Sequence, residues 1–274
     1  MKLSIITINK NNCQGLQRTI DSVLSQTWHD FEWIVIDGGS TDGSKELIEK
    51  YQDHFAYWHS EPDGGIYHAM NKGLVHARGE RVSFMNSGDS FATPKTLAYV
   101  FSQQYEEDII YGYMMAKSLE GKPLDIQYMK AHVYWEDFYF GTLPHQSSFI
   151  KRELFKKVGG YDETYQIVAD RKWFFTAVGI YGCSTRFIHV PFSLFECGGI
   201  SEGEHHKGEV SRVRKDLFPE YIPVEDYKHL RDIHLIMNTT WARIAYKIIR
   251  RLLRSFYNLK LDREIRRIRY EWRM

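Results

Sequence analysis

The chain has 274 residues, 43% of them hydrophobic and 26% charged, which is enough apolar material for one large domain or a domain with an appendage. Its net charge of +1 is unevenly spread: residues 240–274 hold eleven Lys or Arg against three Asp or Glu, so this tail carries +8 and the residues before it −7. An acidic body resists nucleic acid lying across it, no run of about 20 apolar residues is present to span a bilayer, and three scattered cysteines (Cys13, Cys183, Cys197) without a CxxC pair argue against a disulfide framework or a zinc site.

The N-terminus passes from Met1-Lys2 directly into Leu3 to Ile8, too short for a signal peptide and better read as a first strand, so a reducing, cytoplasmic setting is expected. A polar turn, Asn9 to Asn12, leads to Leu16, Ile20, Val23 and Leu24 at helical spacing. Trp33 to Ile36 has the continuous apolar character of a strand buried on both faces, and it ends in Asp37-Gly38-Gly39-Ser40-Thr41-Asp42-Gly43-Ser44, where Ser or Thr opens the next helix. Phe55 to Trp58 is a third strand ending in Glu61-Pro62-Asp63-Gly64-Gly65, and the helix Ile66 to Ala77 carries Asn71 on the face near Tyr67. A buried Asn there either bonds neighbouring loops or holds a ligand.

Arg81 to Asn86 is a short buried strand, and Ser87-Gly88-Asp89 is the turn that ends it. Asp89 either caps the helix near Thr93-Pro94 or, at the carboxyl end of a strand, binds Mg²⁺ or Mn²⁺ carrying a diphosphate. A mostly parallel sheet flanked by helices gathers the loops bearing Asp37, Asp42, Asp63 and Asp89 on one edge. Beyond them the pattern predicts a helix over 93–101, a strand over 108–116, an aromatic stretch over 125–140 without a clean period, a strand and a helix from Arg152, and an apolar helix starting near Asp170. Tyr128, Tyr134, Trp135, Phe138 and Tyr139 suit a satellite core better than a sugar- or lipid-facing surface. After a strand over 185–190, Glu196 to Gly208 is a charged, glycine-rich loop able to close as a lid.

The set Ser4-Ile5-Ile6-Thr7, Ile36 to Ser44, Glu61 to Tyr67 with Asn71-Lys72-Gly73, and Asn86-Ser87-Gly88-Asp89, in this order, resembles the family 2 glycosyltransferases of the GT-A fold, over about residues 1–200. The resemblance implies a nucleotide-sugar half (1–90) and an acceptor-side half (91–200), followed by a lid and linker (201–239) and the basic tail. It implies transfer, with inversion, from a nucleoside-diphosphate sugar, a UDP-sugar foremost, to a hydroxyl of a glycan or lipid-linked glycan in cell-surface polysaccharide biosynthesis. Thr7, Asn9, Asp37, Asp42, Asp63, Asn71, Asn86 and Ser87 are then the donor-side candidates, with Asp37 on the uracil or ribose side. Asp89 becomes the ligand of Mn²⁺ or Mg²⁺, with His205 or His206 as a further candidate, His145 and Gln146 lie on the acceptor side, and Asp170 is the general base. Gly88 departs from the family's Asp-Asp pair, and no Gln-x-x-Arg-Trp element of processive members is present.

A sugar nucleotidyltransferase would need a basic, glycine-rich loop after the first strand, which Asn9-Lys10-Asn11-Asn12 matches poorly, and a non-catalytic nucleotide-sugar-binding module would have no need of Asp170. In the tail, Trp241, Ala245, Ile248, Leu252 and Phe256 alternate with basic residues as a basic amphipathic helix. Its expected partner is a membrane surface on the cytoplasmic face, the catalytic body, or a second copy of the chain.

Overall fold

In the computed structural model, which describes residues 1–117, 123–127, 132–196 and 204–218 with a few isolated positions beyond, strands and helices alternate over the first ninety residues. They are β1 (Leu3–Asn9), α1 (Cys13–Leu24), β2 (Phe31–Asp37), α2 (Ser44–Lys50), β3 (Tyr57–Ser60), α3 (Ile66–His76) and β4 (Arg81–Phe84). Then follow β5 (Ser90–Phe91), α4 (Thr96–Val100), β6 (Ile109–Lys117), β7 (Pro123–Gln127), α5 (Asp137–Phe140), β8 (Ser148–Lys151), α6 (Leu154–Lys157), α7 (Ala169–Phe175), β9 (Thr185–Glu196) and α8 (Glu204–Asp216). The chain divides into two units, Met1–Tyr221 and Ile222–Met274, and all of these elements belong to the first.

Among the described residues the strands form one sheet in the order β3-β2-β1-β4-β8-β6-β9-β5, with β7 on β6. The pairs β1–β2, β1–β4, β2–β3 and β6–β9 are parallel, and β8 runs antiparallel between β4 and β6. Thus β1, β2, β3, β4, β6 and β9 point one way. The apolar runs read from the sequence form the centre: Leu3, Ile5, Ile6, Ile34, Val35, Val82 and Phe84 are fully buried. On α1, Leu16, Ile20 and Val23 are buried against the sheet, each such side chain contributing about 1.5–3 kcal/mol by leaving water.

Several boundaries differ from the sequence expectation, for local reasons. Helix α2 takes Gly43 as its cap without a side-chain bond, and the carboxylate of Asp42 bonds Ser44 instead. The aromatic stretch resolves into β7 and α5. Phe138 and Tyr139 are buried, Phe218 stacking on Phe175 (4.5 Å between centroids) and meeting the ring of Tyr139 edge-on (5.1 Å), whereas Tyr134 and Phe140 are 64% and 47% exposed. Strand β9 runs past Pro191 to Glu196, because a shift of register opposite Tyr113 accommodates the proline where a regular ladder would not. The expected loop over 196–208 gives way to helix from Glu204 onward. The basic tail with its expected amphipathic helix, Tyr128, residues 197–203 and the side chains of His205 and His206 lie outside the described residues. Among the described residues no helix is long and apolar enough to cross a membrane.

Candidate active site

Because β1 to β4 are parallel, their carboxyl ends bring Asn9, Asp37, Asp63 and the turn Asn86–Asp89 to one edge of the sheet. Asn9 and Asp37 are register partners, and Asn9 Nδ2 donates to Asp37 Oδ1 at 2.8 Å. The same Oδ1 accepts from Ser40 Oγ at 2.6 Å, while Oδ2 accepts from Ser60 Oγ at 2.7 Å and the Ser40 amide at 2.9 Å. All four lone-pair positions of this carboxylate are therefore occupied. Asp37 is 1% exposed. Burial pushes its pKa up, but the bonds from Ser40, Ser60 and Asn9 outweigh that and leave it below the usual carboxylate value. In this geometry the carboxylate joins β1, β2, β3 and the Ser40 turn. The acceptor left over is Asn9 Oδ1, buried and without a hydrogen-bond partner.

Three other donor-side candidates have their side chains engaged in holding the loops. Thr7 is fully buried and its hydroxyl accepts the indole N–H of Trp33 at 3.0 Å. Asp42 accepts from the Cys13 amide at 2.8 Å and ties the second loop to the start of α1. Asn71 spends its amide on the 159–163 turn, with Nδ2 donating to Tyr161 O and to Glu163 Oε1, both at 2.8 Å, and Oδ1 accepting from the Tyr161 amide at 2.8 Å. These are the bonds to neighbouring loops that the first of the two readings of Asn71 expects. Asp63 is half-buried, accepts from the Gly65 amide at 2.9 Å, and lies so close over Gly38 that a Cβ there would stand 2.7 Å from Oδ2.

The turn after β4 continues the ladder, since the Met85 and Ser87 amides donate to Ile6 O and Ile8 O. Thr19 on α1 fixes it: its hydroxyl donates to Asp89 O at 2.7 Å and accepts from the Gly88 amide at 3.0 Å. Gly88 has φ +100°, a conformation an L side chain rarely adopts, which is why glycine stands where the resemblance leads one to expect aspartate. Asn12 Nδ2 holds Ser87 O at 3.1 Å. Asp89 is 5% exposed. Among the described residues no group of three His, Cys, Asp or Glu could cage a metal, and the Asp89 carboxylate is a hard oxygen donor of the kind Mg²⁺ and Mn²⁺ take.

Strand β8 runs antiparallel to β4, so the chain just before β8 lies beside the end of β4. That geometry brings His145 Nε2 to 3.2 Å from Asn86 Nδ2, and His145 Nδ1 to 3.3 Å from Asp170 Oδ2 in the first turn of α7. Gln146 is buried beside it. Asp170 Oδ1 accepts from the Arg171 amide at 2.8 Å, and the Tyr67 hydroxyl, which donates to Ile167 O at 2.5 Å, lies 3.2 Å from the same oxygen. Burial first, and the Asp170 charge second, raise the Tyr67 pKa well above its ordinary value, so Tyr67 stays a donor. Asp170 thus faces the edge that carries Asn86.

Sequence reasoning missed the groups that hold this acid in position. Glu209 on α8 accepts from the amides of Gln166, Ile167 and Val168 at 2.6, 2.8 and 3.2 Å, clamping the loop that leads into Asp170. Its local sequence reads only as a charged stretch. Replacing Glu209 with Gln turns an amide N–H toward these donors, and a loss of about 1–2 kcal/mol is expected in urea unfolding. Two surface cavities lie apart from this edge: one of about 430 Å³ against α7 at Asp162, Lys172 and Trp173, and one of about 690 Å³ at Lys2, Glu80 and Arg152, beside the amino ends of β1 and β4.

An α/β sheet with acidic loops along one edge and a further carboxylate facing them has the layout of a GT-A glycosyltransferase. Residues 4–159 match the model of Glycosyl transferase family 2, and the chain belongs to that family. It is 34% identical over 261 residues to an uncharacterized glycosyltransferase of Mycobacterium tuberculosis (strain H37Rv), covering 93% of this chain and 92% of that one. It is 30% identical over 208 residues to a PGL/p-HBAD biosynthesis glycosyltransferase of Mycobacterium bovis (strain BCG), covering 72% and 78%. Among solved structures it resembles S. aureus TarS, with TM-score 0.61 and 21% identity over 79% of this chain; the chain spans only 39% of that longer protein. A shorter TarS chain solved with UDP-GlcNAc matches with TM-score 0.58 and 19% identity, covering 78% and 64%. The Pyrobaculum calidifontis mannosyltransferase PcManGT, solved with GDP-Man and Mn²⁺, matches with TM-score 0.54 and 18% identity, covering 78% and 61%. These structural likenesses establish the GT-A fold, and the family establishes a glycosyltransferase acting in glycan biosynthesis.

Proposed function

We propose that the protein is a metal-dependent, inverting glycosyltransferase that moves one sugar from a nucleoside-diphosphate sugar, a UDP-sugar foremost, to a hydroxyl of a glycan or lipid-linked glycan. The observation that carries this reading is the continuous contact Asn86···His145···Asp170, which joins the turn of Asp89 to the acid opposite it. Asp170 serves as general base: it takes the acceptor hydroxyl proton, the acceptor oxygen forms a bond to the anomeric carbon from the far side, and the bond to the diphosphate oxygen breaks with its electron pair. Asp89 holds Mn²⁺ or Mg²⁺, which when bound offsets the charge growing on the departing diphosphate. Asn9, with its unpaired Oδ1, and Asp63 border the nucleoside side, with Asp37 and Asp42 shaping their loops. The nucleotide sugars of the TarS and PcManGT complexes support the donor class, and the name of the M. bovis relative, a PGL/p-HBAD biosynthesis glycosyltransferase, supports a role in glycan biosynthesis.

The test is a melting screen of the full chain against UDP, GDP, CDP and dTDP, each with Mn²⁺, Mg²⁺ or EDTA. A nucleotide at 100 times its dissociation constant adds about 2.7 kcal/mol, and the expected result is a shift with UDP that EDTA abolishes and Asp89→Ala removes. No shift with any diphosphate would overturn the donor-site reading, and a shift indifferent to EDTA would overturn the metal.

A further inference from the structure

We propose that His145 is a positioning residue for Asp170, held as the Nδ1–H tautomer by Asn86, so that the acid presents one open lone pair on Oδ2 toward the acceptor. The proposal rests on the reading of Asp170 as the base.

The tautomer follows from the partners. With the Asn86 amide nitrogen 3.2 Å from the imidazole Nε2, the amide donates and Nε2 accepts, while Asn86 Oδ1 is buried without a hydrogen-bond partner. A neutral ring then carries its hydrogen on Nδ1, where the only use for it is Asp170 Oδ2 at 3.3 Å. One amide thereby decides which ring nitrogen carries the hydrogen, and so what the acid two hydrogen bonds away meets. The carboxylate is left with little choice. Its Oδ1 already accepts from the Arg171 amide and has 3.2 Å away the Tyr67 hydroxyl, whose proton goes chiefly to Ile167 O at 2.5 Å. Oδ2 accepts from His145 alone, which leaves its second lone pair the more open position for the acceptor proton. His145 neither gains nor loses a proton in this scheme.

Asn86 has a second attachment that gives the arrangement its purpose. Its backbone oxygen accepts from the Asp89 amide at 2.9 Å, so its backbone belongs to the turn that carries Asp89 while its side chain sets the ring on Asp170. An in-line displacement needs the attacking hydroxyl and the leaving diphosphate on opposite sides of one carbon, and misplacement by about 1 Å costs on the order of 10²-fold. A single turn of backbone, fastened by Thr19 to α1, keys both ends of that line. At 12% and 15% side-chain exposure, Asp170 and His145 are largely but not wholly shielded from water.

The deciding measurement is long-range ¹H–¹⁵N correlation on the full chain labelled at histidine nitrogens, with His145 assigned by its disappearance in His145→Gln. The expected wild-type signal is the Nδ1–H tautomer, and Asn86→Asp, which offers an acceptor in place of a donor, should move the proton pattern to include Nε2–H. A wild-type ring in the Nε2–H form, or a pattern unmoved by Asn86→Asp, overturns the proposal. A second arm follows nucleoside diphosphate release from UDP-GlcNAc and GDP-mannose, with water as the acceptor. His145→Ala should lower kcat about 10- to 100-fold with little change in the donor KM, and His145→Asn, whose amide nitrogen falls near the place of Nδ1, should recover part of the loss. If kcat is unaffected by His145→Ala, positioning fails. If Asp170→Asn keeps its rate, the base reading and this proposal fall together; if Asp170→Asn loses its rate while wild-type His145 is Nε2–H, this proposal falls alone.

Discussion

Asp170→Asn is expected to lower transfer by about 10²- to 10⁴-fold while leaving nucleotide binding and melting temperature close to those of the wild type. The amide is nearly the size of the carboxylate, and its oxygen can still accept from the Arg171 amide at the Oδ1 position. What it cannot do is accept a proton at neutral pH. The other end of the amide then meets His145 with a donor, so the ring has to turn over its tautomer, a local cost with no effect on β1 to β3. Initial rates measured together with nucleotide-induced melting shifts separate the two effects. Unchanged turnover would sink the assignment of Asp170, and a joint loss of transfer and nucleotide binding would show that the acid supports the donor side instead.

Asp37→Ala carries the largest expected effect on stability, about 3 kcal/mol, because it strands buried donors from Asn9, Ser40 and Ser60 at once. For a chain of this size that corresponds to a fall in Tm of roughly 6–12 °C. The sign of the pH dependence follows from the lowered pKa of the folded carboxylate. Its contribution is fully present above the unfolded value of about 4 and is lost as pH falls through the lower folded value, so the wild-type advantage over Asp37→Ala should shrink only in that acid window. Thermal unfolding of both proteins across that range is the check. A variant that melts within 2 °C or so of the wild type yet binds no nucleotide would make Asp37 a ligand contact and not a loop lock.

The two predictions expose what local sequence can and cannot convey. Asp37 was visible as part of a glycine-rich turn after a buried strand, and the alternation of strand and helix through β4 was legible because apolar periodicity is a local property. The order β3-β2-β1-β4, with four carboxyl ends on one edge, follows from parallel pairing and short crossovers. Farther along, β5 and the extension of β9 past Pro191 depend on each other and on a register shift, so neither stretch announces itself. The saturation of Asp37 was equally hidden: Ser60 belongs to another strand, and its bond exists only once β2 and β3 are paired.

Residue types and their order thus determined by themselves the family, the sheet of parallel strands and the short set of acids worth testing, because a turn's glycines and a strand's apolar run are written in consecutive positions. Only the tertiary structure decided which of those acids are engaged and which are set facing one another. Asn86 and His145 are neighbours because β8 returns antiparallel beside β4, and Glu209 guards the approach to Asp170 because α8 packs where it does. Hydrogen bonds across such distances in sequence form only when chain closure has already been offset by the burial of the core.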